Sequence, residues 1–311
     1  MAVPSDALNI VLDPDGGAGD RAPLDETRAA SRIGLIGQRF MRKRLAVFGL
    51  AVIVALFLLA FLGPYLTKWS FTDHDFEAFL QGPSTRHWFG TTATGADVYA
   101  LTLHGMQKSL IIGLLVALLS TTLSALVGSF AGYVGGWVDR VLMWFVDLLL
   151  VIPSFLILAI VSPAFRGKTW LLFVLMLAAF IWMITARIVR GMTITLRDRE
   201  YVQAARFMGV STPRIIFRHI LPNISSLLII DATINVSVAI IGETSLSYFG
   251  FGVQPPDVSL GTLIADGTNS AVTYPWLFMF AAGILVLVVL AVNLVGDGLR
   301  DAIDPTSGHK S

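Results

Sequence analysis

Apolar stretches of membrane length recur along the chain, separated by shorter polar segments. They cover residues 45–66, 110–134, 138–162, 170–189, 224–249 and 276–295. A helix needs about 20 consecutive, mostly apolar residues to cross the hydrocarbon core of a bilayer, and each stretch meets that requirement. Tryptophans at positions 69, 170 and 276 stand at predicted outer boundaries, as aromatic belts do. The pattern predicts an all-α polytopic membrane protein with six transmembrane helices.

The composition also indicates a membrane protein. Of the 311 residues, 55% are hydrophobic and only 14% are charged, whereas soluble domains carry about 25% charged residues. The chain contains no cysteine, which excludes disulfides, thiolate metal sites and cysteine nucleophiles. Its net charge of +1 gives no indication of a nucleic-acid partner.

The distribution of positive charge predicts the orientation in the membrane. If the amino terminus lies inside, the inner segments hold 17 of the 22 lysines and arginines, and the outer loops hold 5. Cytoplasmic loops of membrane proteins carry an excess of these residues. Both termini, and with them residues 190–223, are therefore expected in the cytoplasm.

Four parts of the chain differ in composition. Residues 1–27 are rich in proline, glycine and acidic side chains, and are expected to form a disordered cytoplasmic tail without a signal peptide. Residues 28–44 are basic with apolar positions at helical spacing, which suits either an interfacial helix or a flank that only sets topology. Residues 45–300 form the predicted six-span domain, and residues 301–311 a cytoplasmic carboxyl-terminal tail.

The most informative polar segment is residues 200–223, which lies between two apolar runs. Its first part is helix-forming, and Gly209 ends that helix as glycine commonly does. A start signal for a second helix follows, with Pro213 in the first turn. That helix is expected over residues 214–220, stopping before the Leu-Pro pair that ends with Pro222. The segment predicts a helix, a glycine turn and a second helix at a membrane surface.

This segment resembles the coupling helix of the permease subunits of bacterial ABC importers. Their signature runs Glu-Ala-Ala, three residues, glycine, nine residues, then Ile-x-Leu-Pro. The spacing is kept here, with Gln203 standing for the glutamate and His219 for the isoleucine. In the family this segment docks in a cleft of the ATPase subunit. The resemblance implies that role for Glu200, Gln203, Ala204, Ala205, Arg206, Gly209, Leu221 and Pro222.

Other motifs resemble the C-type permeases of the dipeptide, oligopeptide and nickel importers. Residues 87–91 read His-Trp-Phe-Gly-Thr, residues 245–256 read Ser-Leu-Ser-Tyr-Phe-Gly-Phe-Gly-Val-Gln-Pro-Pro, and residues 296–301 read Gly-Asp-Gly-Leu-Arg-Asp. The resemblance implies the type I ABC importer permease fold, with outer loops 67–109 and 250–275 that meet a substrate-binding protein. The candidate contacts in these loops are Phe89, Gly90, Thr91, Asp97, Gln254, Pro255 and Pro256.

The resemblance further implies a function and a set of partners. The chain is expected to form the pathway of an ATP-driven peptide importer together with a second, homologous permease of the B type in a bacterial cell (inner) membrane. A separate ABC ATPase, as one or two chains, would bind ATP and Mg²⁺, and an extracytoplasmic binding protein would deliver the peptide. The chain itself would be non-catalytic, with no cofactor or metal. Nickel-chelate, haem or longer oligopeptides are alternative cargoes.

Three acidic residues within predicted spans are candidates for the pathway or a gate, namely Asp147, Asp231 and Glu243. A charge at the bilayer centre costs about 2.5–3.5 kcal/mol on insertion scales, so such residues usually face a bundle interior, a water-filled path or a partner charge. For Asp147, structural pairing with Arg187 or Arg190 is the competing interpretation. Asp231 lies close enough to the inner interface to be merely solvated.

Two other classes of function remain open. An ion-coupled secondary carrier could use Asp147 or Glu243 as a relay, but it leaves the coupling motif unexplained. A membrane-embedded enzyme lacks support because no hydrolase motif is present. The stretch around Lys168 is not a phosphate loop, since position 162 is Ser162 where that motif needs a glycine.

Gly128 and Gly132 form a small-xxx-small spacing in the second predicted span. Small residues at this spacing allow two helices to approach closely. We expect them to serve helix packing, either within the chain or against a partner permease.

Overall fold

The computed structural model describes residues 32–165 and 170–303, and regular secondary structure in these ranges is helical apart from two isolated β-bridges. The expected tail over residues 1–27 lies outside the described residues. So do residues 28–31 at the start of the expected basic helix and residues 304–311 of the carboxyl-terminal tail.

Within the described ranges, four helices are long and apolar enough to cross a membrane without a break. Two bent pairs of shorter helices raise the number of crossings to six if each pair counts as one span, in agreement with the predicted number. The helices are α1 (Arg32–Met41), α2 (Arg44–Leu62), α3 (Val98–Val134), α4 (Gly136–Val151), α5 (Ser154–Val161), α6 (Trp170–Ile181), α7 (Met183–Arg197), α8 (Glu200–Phe207), α9 (Thr212–Ile215), α10 (Leu221–Tyr248), α11 (Leu260–Thr268) and α12 (Trp276–Ile303).

The third predicted span, residues 138–162, is broken rather than straight. α4 ends before Ile152, whose extended backbone (φ −78°, ψ 124°) is the conformation favoured before a proline. Pro153 lacks the N–H that would continue the helix, and α5 leaves at 77° to α4. The fourth predicted span bends by 48° at Trp182, which is buried and donates its indole N–H to the Ala179 carbonyl at 2.9 Å.

α3 begins well before residue 110, the predicted start of the second span. The Asp97 carboxylate caps the helix by accepting a hydrogen bond from the Ala100 backbone N–H at 2.8 Å. With 37 residues, α3 is about 55 Å long, whereas the hydrocarbon core is about 30 Å thick. Part of α3 therefore projects beyond the membrane.

α3 and α7 make close backbone contact through the two glycines of the small-residue spacing. A Cβ atom on Gly128 would lie 2.4 Å from the Ala186 carbonyl oxygen, and one on Gly132 would lie 2.6 Å from the Arg190 carbonyl oxygen. Real Cβ atoms do not come that close, so only glycine fits either position. The spacing thus serves packing within the chain.

Two ends of the bundle can be distinguished. At the loop end, residues 63–97 and 249–275 cover the helices, and the Trp276 indole N–H donates to the Thr91 carbonyl at 3.2 Å. At the α8–α9 end, residues 198–220 close the bundle.

Both ends of the described chain lie at the α8–α9 end. α2 reaches the loop end at Gly63, beside Tyr99 at the start of α3, so residue 44 is at the opposite end. The last turn of α12 packs there against α1, where Phe40 and Ala302 belong to one buried cluster. Residue 44 and Ala302 therefore lie at the same end of the bundle, and the side of the membrane on which the termini lie stays a prediction.

Candidate coupling segment, outer loop and intramembrane charges

A glycine turn joins α8 to α9. Gly209 adopts φ +77°, in the left-handed region that favours glycine. Its N–H donates to the Arg206 carbonyl at 3.0 Å, and the Val210 N–H donates to the Ala205 carbonyl at 3.1 Å. This pair of hydrogen bonds is the Schellman motif, which satisfies the free carbonyls at the end of α8.

The inner face of the α8–α9 segment is anchored in a buried cluster. Val202 and Ala205 of α8 pack with Ile215 of α9 against Tyr133 of α3 and Val189 of α7. All five side chains are buried. The position of the segment is therefore fixed relative to two membrane-spanning elements.

The outer face of the segment exposes an apolar patch with positive charge around it. Phe207 is 88% exposed and Met208 is 76% exposed. Tyr201 and Phe217 are also exposed, as are the three arginines 206, 214 and 218. An exposed group of large apolar side chains rimmed by polar residues is typical of a protein interaction site. We call Tyr201, Phe207, Met208 and Phe217 the docking patch.

Most of the predicted coupling residues lie on this accessible side. Among them Ala205 is buried and Leu221 is half-buried, so these two hold the segment in place. Gln203, which stands for the family's glutamate, donates its side-chain amide N–H to the Asp198 carbonyl at 3.3 Å. The exposed members are Glu200, Gln203, Ala204, Arg206, Gly209 and Pro222.

The expected helix stop before Pro222 is wrong. A π-helical turn over residues 216–220 joins α9 directly to α10, and the Leu221 N–H donates to the Ile216 carbonyl. Such a widened turn shifts the hydrogen-bond register, so a proline can follow without ending the helix. Thr212–Tyr248 is consequently one continuous helix of 37 residues. No break in the helix separates α9 from the span.

The outer loop has its own polar core around His87. The imidazole is fully buried, with Nδ1 at 2.8 Å from Asp97 Oδ2 and Nε2 at 3.2 Å from Asp75 Oδ2. Arg86 adds an ion pair to Asp75 at 2.9 Å. The hydrogen bond from the Glu77 backbone N–H, the one from His87 Nε2 and the charge of Arg86 together hold the pKa of the Asp75 carboxyl below its usual value.

Of the loop positions expected to contact a binding protein, three are buried and a fourth is half-buried. Phe89 stacks on Phe280 with ring centroids 3.8 Å apart, and a Cβ atom on Gly90 would lie 2.5 Å from the Gln81 carbonyl oxygen. Gly90, Thr91 and Asp97 are buried and Phe89 is half-buried. These residues stabilise the loop, because they provide its glycine turn, the N-cap of α3 and internal hydrogen bonds.

The accessible surface at the loop end is made of other residues. Pro255 and Pro256 are exposed, while Gln254 is half-buried and donates to the Gly250 carbonyl at 3.0 Å. Four exposed apolar side chains at the loop end were not predicted from the sequence, namely Phe76, Phe79, Trp88 and Val272. They are aromatic or branched residues in otherwise polar loops, and that pattern could have identified them.

Replacing Asp97 tests the loop core. Asp97→Ala should remove both the cap of α3, which contributes about 1 kcal/mol, and the partner of His87 Nδ1. We expect the outer loop to be cut several-fold faster by a protease added at the loop end. Asp97→Asn is the matched control, since asparagine caps helices equally well. Equal cleavage of the wild-type and Ala proteins would contradict this view of the loop.

Two ion pairs connect α4 to α7. Arg187 donates to Asp147, which is one of the two pairings that the sequence suggested. Arg190 binds Asp139 through both its Nε and Nη2 atoms, the latter at 2.5 Å from Oδ2. A two-point contact between a guanidinium and a carboxylate fixes geometry as well as charge.

The expectation that Asp231 is merely solvated is wrong. Its carboxylate is half-buried where α3, α7 and α10 meet. It accepts hydrogen bonds from Thr185 Oγ1 at 2.6 Å, Thr121 Oγ1 at 3.1 Å and Asn235 Nδ2 at 2.9 Å. Two of the three donors are far from Asp231 in the sequence, so the sequence alone did not show that they surround its carboxylate.

Glu243 is fully buried at the junction of α3, α10 and α11. Ser247 Oγ donates to Oε1 at 2.6 Å, and Ser109 Oγ donates to Oε2 at 3.3 Å. Ser109 Oγ also accepts the Leu260 N–H at 3.2 Å, and Ser247 Oγ accepts the Val253 N–H at 3.2 Å. The carboxylate thus ties the start of α11 and the preceding loop to the two long helices.

Removing the Glu243 carboxylate should destabilise the protein. Glu243→Ala leaves two buried hydroxyls without their acceptor and opens a cavity, which should cost about 2–4 kcal/mol. Glu243→Gln keeps the volume and most hydrogen bonds, and should cost less than about 1.5 kcal/mol. The apparent melting temperature of the purified protein in detergent measures both. Equal melting temperatures for the Ala and Gln proteins would contradict a hydrogen-bonding role.

The three acidic residues lie at separate sites. Asp231 and Glu243 share α10 but are about 18 Å apart along it, and Asp147 belongs to the α4–α7 contact. In residues 32–165 and 170–303, no three acidic or histidine side chains converge as metal ligands. The stretch around Lys168 lies outside the described residues.

Family models match most of the chain. Residues 124–308 match the family described as binding-protein-dependent transport system inner membrane component. Residues 31–83 match the amino-terminal transmembrane domain of oligopeptide transport permease C.

Curated relatives match over nearly their full length. Proteins described as oligopeptide transport system permease protein OppC, from Mycobacterium tuberculosis (strain H37Rv) and Mycobacterium bovis, are each 57% identical to the chain over 282 residues, covering 90% of it and 97% of the relative. The protein of that description from Escherichia coli (strain K12) is 41% identical over 270 residues, covering 86% and 89%. The chain belongs to the binding-protein-dependent transport permeases, which are multi-pass inner membrane proteins, and within them to the C-type subunits of the peptide importer group.

Proposed function

We propose that the chain is the permease subunit of an ATP-driven peptide importer, and that the α8–α9 segment couples it to a separate ATPase. The observation that carries this proposal is the exposed docking patch, which a glycine turn connects to α9, the start of the continuous helix that includes α10. The names of the OppC relatives support peptides as the cargo.

The continuous helix suggests how force is transmitted. The docking patch would sit in a cleft of the ATPase, and closure of the ATPase dimer on ATP would displace α8 and α9 together. Because α9 continues into α10 through the π-helical turn, the span would move with it. The anchoring cluster on α3 and α7 would pass the same movement to those helices. The pathway would then open toward the loop end.

The proposed orientation follows from the same arrangement. The α8–α9 end and both termini would face the cytoplasm, since the ATPase works there. The loop end would face outward, and a binding protein would dock on its exposed residues Pro255, Pro256, Trp88 and Val272. A second, B-type permease would complete the pathway. ATP and Mg²⁺ would bind to the ATPase, and this chain would bind no cofactor and catalyse no reaction.

Reconstitution of the complete complex tests the function. Proteoliposomes containing this chain, the second permease and the ATPase should accumulate a labelled oligopeptide when ATP and the binding protein are present. Uptake should stop when the ATPase is omitted, and should survive ionophores that collapse ion gradients. Uptake that depends on an ion gradient and not on the ATPase would favour the secondary carrier. Competition by dipeptides, nickel chelates or haem would identify the cargo.

A further inference from the structure

A charged groove runs between α4 and α7 inside the membrane-spanning part of the chain. Its volume is about 510 Å³, and its charged lining consists of Asp139, Arg140, Asp147, Arg187 and Arg190. These three arginines and two aspartates give the groove a net charge of +1. Trp144 contributes an exposed apolar wall.

The groove follows the two helices away from the α8–α9 end. Asp147 is about 16 Å along α4 from Gly136, and Arg187 is about 15 Å along α7 from Arg197. Both starting points are at the α8–α9 end, where Arg197 Nη1 donates to the Gly132 carbonyl at 3.2 Å. Both helices belong to bent pairs that are long and apolar enough to cross a membrane.

Exposure distinguishes this groove from the other intramembrane charges. Asp147 and Arg187 keep 53% and 50% of their side-chain surface exposed although they are paired with each other. Glu243, in contrast, is fully buried, and Asp231 is half-buried among three donors. Exposed charges within a membrane span are not compatible with acyl chains and need water or a polar partner.

Arg140 gives the groove an available cation. Its Nε donates to the Gly136 carbonyl at 3.4 Å, and no acidic side chain of the described residues forms an ion pair with it. Arg190 is held by Asp139. A carboxylate that enters the groove from the loop end would first pass the ion pair of Asp147 and Arg187. It would then reach Arg140, which lies nearer the α8–α9 end.

We propose that the α4–α7 groove is a water-filled section of the translocation path, and that a zwitterionic peptide in transit places its terminal carboxylate at Arg140. This inference rests on the proposed function and assigns a substrate-facing surface to it. Among the described residues Arg140 is the charge of the groove without an ion-pair partner, and its sign complements the terminal carboxylate of the peptide. Its occupant is the peptide, and a second permease covering the groove is the alternative.

The absence of native cysteine makes the water-filled path directly testable in the assembled complex. Trp144→Cys places a thiol in the groove, at a position that is 64% exposed. Val54→Cys places one at comparable depth on α2, 49% exposed and away from charges. A charged, membrane-impermeant methanethiosulfonate should modify position 144 at least tenfold faster than position 54.

Reaction of position 144 only with a neutral reagent would show that it faces lipid. Protection in the complex but not in the isolated chain would assign the groove to the second permease, and either result overturns the inference.

Arg140→Gln tests the contact with the carboxylate. With the same binding protein, uptake of a peptide with a free carboxyl terminus should fall at least threefold relative to wild type, while uptake of the amidated peptide should stay unchanged. Arg42→Gln, an exposed arginine outside the groove, should affect neither peptide. An equal loss for both peptides, or no loss for either, would overturn the inference. Failure of the wild-type complex to take up peptide with ATP would instead refute the proposed function.

Discussion

Gly209→Pro should reduce the substrate-stimulated ATPase activity of the reconstituted complex at least tenfold while the subunits still assemble. Proline fixes φ near −65°, whereas Gly209 has φ +77°. It also removes the N–H that bonds to the Arg206 carbonyl. The turn between α8 and α9 would then change direction, and the docking patch would lose its shape. The space around this glycine is open, so the spans are not disturbed.

Gly209→Asn is the matched control for this prediction. Asparagine tolerates the left-handed region better than other residues with a side chain, and keeps the backbone donor. Its ATPase stimulation should remain within about twofold of wild type, because the turn keeps its direction and its hydrogen bond. Normal stimulation and transport by the proline protein would show that the α8–α9 segment is not the coupling element.

Gly128→Leu should prevent α3 and α7 from packing, with the largest loss of stability of any single change considered. A Cβ atom alone would lie 2.4 Å from the Ala186 carbonyl oxygen and 2.8 Å from Val189 Cβ. Backbone cannot yield as a flexible side chain can, so we expect a cost at or above the 1–3 kcal/mol typical of overpacked cores. The fraction of monodisperse protein recovered in detergent, and its melting temperature, should both fall.

Gly283→Leu provides the control for helix packing. Gly283 is also a helical glycine of a span, in α12, but nothing lies within 4 Å of its Cβ direction. The same substitution there should leave recovery and melting temperature near wild type. If the two leucine proteins lost recovery and melting temperature to a similar extent, the close α3–α7 contact would not explain the effect at Gly128.

Hydrophobic length predicted six spans, a number that the described helices reach if each bent pair counts as one span, but it did not predict their shape. Pro153 lies within an apolar run, and the run alone does not reveal that the chain turns by 77° there. The extension of α3 to Val98 was hidden because its first turns are polar and depend on a cap by Asp97. Pro222 indicates a helix end in most contexts, and only the wider turn before it allows α9 and α10 to form one helix.

The candidate site was predictable where it is local in sequence. The glycine turn and the first helix follow from residues close to Gly209, and the structure contains them, whereas the second helix begins as expected but continues into α10. Partners that are distant in sequence could not be assigned, such as the donors around Asp231 and the serines around Glu243. The loop motif containing Thr91 suggested a contact surface, yet its buried side chains stabilise the loop.

Cross-linking from the docking patch tests the central claim most directly. A photoreactive amino acid at Phe207 should form a covalent adduct with the ATPase in the reconstituted complex, with a yield that changes when ATP and vanadate trap the closed ATPase dimer. The control is the same label at Val272, which is 98% exposed at the opposite end, and which should capture the binding protein or nothing. An adduct between position 207 and the ATPase would support coupling through α8 and α9. Its absence from an intact, transporting complex would contradict the account.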